Sequence, residues 1–159
     1  MSRTSRSKNR AFSLIELVIV VVIIGIVAAI AIPRMSRGAA GANDSALTGN
    51  LAVLRKALDL YAAEHAGVYP VFGSITTALT TKTDINGGVA GTVIYGPYIR
   101  AIPALNVGAQ KGNVAFTNTA PGASATAACG WYYDATNYLI KANCADAEID
   151  SASVKYNTY

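Results

Sequence analysis

Residues 11–33 read AFSLIELVIVVVIIGIVAAIAIP, and this stretch decides what kind of chain this is. Between Ala11 and Ile32 the only polar side chains are Ser13 and Glu16. As a helix the segment would reach about 33 Å, enough for a hydrocarbon core of about 30 Å. A lone carboxylate at the edge of such a span costs on the order of 3 kcal/mol, so Glu16 is expected to meet a partner of opposite charge.

Working outward, residues 1–10 are polar and basic, with Arg3, Arg6, Lys8 and Arg10. The chain has 13 basic and 9 acidic residues, a net charge of +4, so those four account for the whole excess. A chain that is neutral beyond a basic head has no patch for reading phosphates, and nucleic-acid binding is not expected. Four basic residues precede the apolar run and two, Arg34 and Arg37, follow it. The positive-inside bias then places the N-terminus in the cytoplasm and everything after Pro33 outside it.

Past a small-residue joint, SRGAAGAND at 36–44, helical periodicity resumes with Leu47, Leu51, Leu54, Leu58 and Tyr61 along one face. This amphipathic helix should end near HAGVYP at 65–70, where Gly67 offers a stop and Pro70 forbids continuation. Heptads are not sustained, so the leucine face is read as the core of its own domain. His65 reads as a surface residue without a ligand or catalytic role. Residues 71–128 turn to Gly, Thr, Ala and Asn and read as loops and short strands. INGGVAGT at 85–92 lacks the lysine and the strand–helix frame of a phosphate cradle.

GWYYD at 130–134 and YLIKA at 138–142 flank a short turn and read as a β-hairpin. A turn at Thr136 and Asn137 would set Tyr133 opposite Ile140, Trp131 opposite Ala142, and Cys129 opposite Cys144. A disulfide between Cys129 and Cys144 is therefore expected, in an oxidising compartment beyond the membrane. Two thiols and a distant histidine make a poor metal site, and no metal or other cofactor is expected.

A basic leader, a small residue, FSLIEL and an apolar helix running to Pro33 together resemble the N-terminus of type IV pilin and type II secretion pseudopilin precursors. The resemblance implies cleavage between Ala11 and Phe12 by a prepilin peptidase, which also N-methylates Phe12. It further implies a filament in which Glu16 meets the N-terminal amine of a neighbouring subunit, with Gly25 and Pro33 allowing the helix to loosen during assembly. Where the family usually has Gly before the junction this chain has Ala11, still a small residue. ALDLYAAEHAGVYP at 57–70 and YGPYIRAIP at 95–103 resemble the major pseudopilin of type II secretion, with a type IV pilus pilin as the alternative. Many pseudopilins hold calcium in an acidic C-terminal loop. Here Asp146, Glu148 and Asp150 lack the evenly spaced ligand run and glycine turn, and calcium is not assigned.

The expected chain is an α+β, pilin-like protein in which a long N-terminal helix packs on a small antiparallel sheet. Its expected parts are a leader at 1–11, a transmembrane helix at 12–33, an amphipathic continuation at 34–66 and a loop-rich β domain at 67–159. The implied partners are other copies, other pilins or pseudopilins, the prepilin peptidase, an inner-membrane assembly platform and membrane lipid. The implied location is the bacterial inner membrane with the C-terminal domain in the periplasm, then a periplasmic or extracellular filament. An anchored enzyme or sensor would need a nucleophile and base that the sequence does not offer, and an ordinary secreted protein would end its apolar segment at the cut.

Overall fold

Leu47, Leu51, Leu54, Leu58 and Tyr61 are all buried, which puts the leucine face where its three-and-four spacing requires. They belong to α1, Leu14–Glu64, in a computed structural model that describes residues 12–159. The expected leader, with Ala11, lies outside the described residues. The chain divides into two compact units, one ending at Gly38 and the other Ala39–Tyr159. Backbone helix is continuous through Pro33 and through the small-residue joint.

In the second unit α1 is followed by a 3₁₀ turn, Phe72–Ser74, and by α2, Ile75–Thr80. The sequence reads this region as loops and short strands, and α2 is the exception. Six residues are too few for a helical period to stand out from a Thr-rich background. Three strands follow: β1 Phe116–Thr117, β2 Trp131–Asp134 and β3 Leu139–Ala142.

The hairpin has the expected register, with Tyr133 opposite Ile140 and Trp131 opposite Ala142. Period-two alternation sends Trp131, Tyr133, Ile140 and Ala142 into the core. The sheet differs from expectation in its third strand, because β1 joins β2 in parallel. A parallel neighbour needs a crossover of about a dozen residues, and the Gly- and Ala-rich segment 118–130 supplies it. At its end Gly130 is required by space: a Cβ there would sit 2.1 Å from the Asn113 carbonyl oxygen.

The core joins the leucine face of α1 to the inner face of the hairpin, to Ile75 and Leu79 of α2, and to Ile102, Leu105 and Val107 of the connecting chain. Polar ties reinforce it. Arg55 donates to the Ile140 carbonyl at 3.0 Å, Trp131 Nε1 to the Pro103 carbonyl at 2.8 Å, and the buried Tyr133 hydroxyl to the Pro70 carbonyl at 2.7 Å. Each meets an acceptor that burial would otherwise leave without water.

Candidate functional site

Phe12 and Ser13 precede α1, and Glu16 is its third residue. The Ser13 backbone N–H donates to Glu16 Oε2 at 2.9 Å, and the Leu17 N–H reaches the Ser13 carbonyl at 3.2 Å. Ser13 is thus the N-cap, and Glu16 reaches back in one half of a capping box. The spacing Ser-x-x-Glu ahead of an apolar run signals that box, and a reading of Glu16 as a charge in search of a cation passes over it. Among the described residues Glu16 has no cationic partner within ion-pair distance.

Beyond this cap, none of the described residues of its own unit covers the helix. Leu14–Ile32 is long and apolar enough to cross a membrane, and none of it is buried. Phe12 is 80 % exposed, and Leu14, Ile15, Val21, Ile24, Ile26, Val27 and Ile30 are each more than half exposed. In water an apolar surface on every side of a helix would drive aggregation; in lipid it is the expected solvent-facing surface. Gly25 lies within this surface with open space where its Cβ would be, so no packing inside the subunit explains a glycine there. At Pro33 the helix lacks one donor for the carbonyl four residues earlier.

The remaining candidates have structural roles. His65 is buried, against the sequence reading of a surface residue: it is 1 % exposed and stacks on Tyr61 with ring centroids 3.8 Å apart. Its Nδ1 lies 2.7 Å from the Tyr61 carbonyl, which only accepts, so Nδ1 carries the hydrogen. Nε2 then accepts from the Thr83 hydroxyl at 3.0 Å, and both ring nitrogens are satisfied. Positions 47, 51, 54, 58 and 61 step by four and three, and the next step of four is His65, so the spacing does mark it for burial; its polar ring is what set that signal aside.

Cys129 and Cys144 are unbonded in this structure, which leaves the expected disulfide unformed here. The hairpin hydrogen bonding runs on to the Asn143 N–H donating to the Gly130 carbonyl at 3.0 Å, one residue short of the cysteines. Ala128 takes a left-handed φ of 58° and turns the chain just before Cys129, and the Asn143 side chain donates to the Thr126 and Cys129 carbonyls, tying that turn to the hairpin end. Cys144 points inward, and burial together with the neighbouring Glu148 carboxylate pushes its thiol up to about 12. Glu148 also accepts from the Ala109 and Ala145 N–H groups. In the acidic tail Asp146 meets Asn157 and Lys155, and Asp150 accepts from Tyr159, Ala152 and Val154. Among the described residues no three His, Cys, Asp or Glu side chains converge to hold a metal ion.

What the N-terminal segment offers is therefore an unburied apolar helix with a single carboxylate one turn from its start. Residues 6–32 match the prokaryotic N-terminal methylation motif, which takes in the Ala11–Phe12 junction, Glu16 and the apolar helix up to Ile32. That match spans 27 of 159 residues. Comparison of the chain with curated proteins and with solved structures gives no match.

Proposed function

We propose that the chain is the precursor of a structural filament subunit of the type IV pilin-like class, of the pseudopilin branch, and not an enzyme. It enters the inner membrane with its basic head in the cytoplasm, loses residues 1–11 to a prepilin peptidase, and is methylated on the new amine of Phe12. The assembly platform then extracts it from lipid into a filament of like subunits. One observation carries this reading: the methylation motif coincides with a long apolar helix, Leu14–Ile32, that is unburied among the described residues.

Cleavage supplies what Glu16 lacks. The nitrogen of Phe12 is an amide in the precursor and an ammonium afterwards, and in an apolar layer opposite charges attract far more strongly than in water. A neighbour's ammonium would compete with the Ser13 N–H for the Glu16 carboxylate and, being charged, make the stronger bond. The pair sets the stagger between subunits. YGPYIRAIP at 95–103 supports the pseudopilin branch over a type IV pilus.

The test is the mass of the protein extracted from membranes. A mature chain beginning at N-methyl-Phe12 is expected; retention of residues 1–11 in wild-type cells contradicts the reading.

A further inference from the structure

Three groups from two parts of the second unit converge on two consecutive residues of α1. The Tyr156 hydroxyl donates to Asp44 Oδ1 at 2.7 Å, and the Ser151 N–H donates to Asp44 Oδ2 at 3.0 Å. One residue earlier, the Asn106 side-chain amide donates to the Asn43 carbonyl. On the N-terminal side of this point the helix is bare within its unit: Ala39, Ala40 and Ala42 are exposed, and Gly41 accepts only from Ser45 on the same helix. On the C-terminal side the first fully buried residue is Leu47.

The loop that reaches Asp44 is itself well braced. Ile149 and Lys155 bridge it in antiparallel fashion, and Asp150 gathers the N–H groups of Ala152 and Val154 and the Tyr159 hydroxyl. At its base the buried Asn157 donates to the Cys144 carbonyl at 3.1 Å and to Asp146 at 3.0 Å. Asp44 is held below the usual carboxylate range, chiefly by the Tyr156 hydroxyl and then by Ser151, as expected for a carboxylate that serves as the acceptor of a latch.

We propose that the C-terminal loop Asp150–Tyr159 is a strap that latches onto Asp44 and tightens the first turn of the folded domain's hold on α1. With the strap closed, the held helix starts at Asn43 and Asp44. With it open, Asn43 keeps only its bond from Asn106, and the first fully buried residue is Leu47, about one turn further along. The strap therefore sets how firmly the small-residue segment ahead of it, residues 39–42, is rooted at its C-terminal end. This inference does not depend on the filament reading, since it concerns contacts inside the second unit alone.

The experiment is residue-resolved amide hydrogen exchange on the full chain in detergent micelles, comparing wild type with Tyr156→Phe, Asp44→Asn and the double variant. A hydrogen bond to a charged group is worth about one factor of ten or somewhat more in a local opening constant. Exchange at residues 44–48 should rise by about tenfold in each single variant and no further in the double variant, while Leu54–Tyr61 keep their wild-type protection. Either variant alone could loosen the whole domain, and the Leu54–Tyr61 amides report that directly. A uniform rise along α1, no rise at all, or a rise confined to residues 150–159 would each overturn the proposal.

Discussion

At Ala66 the sequence does something that local energetics disfavours. The end of α1 is closed by the Gly67 N–H reaching back to the Ala62 carbonyl at 2.8 Å, the six-to-one bond of a Schellman motif. The left-handed residue such a motif needs is Ala66, at φ 55°, and the glycine stands one place later at φ 82°. A left-handed L-residue costs roughly 1–2 kcal/mol, whereas glycine's extra freedom in the unfolded chain costs about 0.4–1 kcal/mol. Ala66 is exposed, so its methyl buries little. Ala66→Gly should therefore stabilise the domain by about 0.5–1 kcal/mol, read as a raised denaturant midpoint with an unchanged slope. An unchanged or lowered midpoint would show that the turn holds Ala66 without strain. Single residues are also where the sequence was least legible. Gly67 was visible as a helix stop, and His65 falls on the next step of the leucine stripe, but the groups that satisfy its ring, Tyr61, Thr83, Tyr95 and Tyr98, come together only in the fold.

Elements were legible wherever one periodicity ran long enough. The stripe from Leu47 to Tyr61 repeats over four turns, and only a helix with a buried face accommodates it. Leu54 is fully buried between the hairpin and the connecting chain. Leu54→Asp puts an unpaired carboxylate there at a cost above about 4 kcal/mol, a large part of the stability of a small domain. The variant should melt far below wild type by circular dichroism, and coincident melting curves would mean that a different face of α1 carries the core. The hairpin register was legible because alternation allows no one-residue slip without turning Trp131 and Tyr133 outward. The cysteine pairing extended that register one residue beyond the Gly130–Asn143 hydrogen bond, up to the left-handed turn at Ala128, which no pattern announces. The parallel β1 is two residues long and carries no periodicity to read.

Across the whole molecule, carboxylates do much of the fastening, and this gives the domain a definite response to acid. Asp44, Asp134, Asp146 and Asp150 are all held below the usual range, by Tyr156, the Asn137 side chain, Asn157 and Tyr159 in turn as the leading cause. Lowered folded values mean that the unfolded chain takes up protons first. Their contribution is complete above the unfolded value of about 3.9 and is lost as pH falls through the folded values. Melting temperature should stay level from pH 7 to about pH 5 and drop below about pH 4. Asp44→Asn should flatten part of that drop, whereas a wild-type drop centred near pH 6 would point to a different group.

The N-terminal segment ties the molecule to its proposed task, and its meaning was the most legible of all, because an apolar run of that length with one acid at its start has few other uses. Only the cap from Ser13 to Glu16 adds to that reading. Glu16→Leu makes the span more lipid-compatible, so insertion and removal of residues 1–11 should persist. Assembly should fail, because an incoming subunit would bury an ammonium with no carboxylate opposite it, and breaking a buried pair costs about 3–5 kcal/mol. The direct measurement follows leader removal and sheared filament yield in the same cells for wild type and Glu16→Leu. A cleaved, membrane-held variant that yields no filaments is the predicted result; wild-type filament yield from Glu16→Leu would contradict the account.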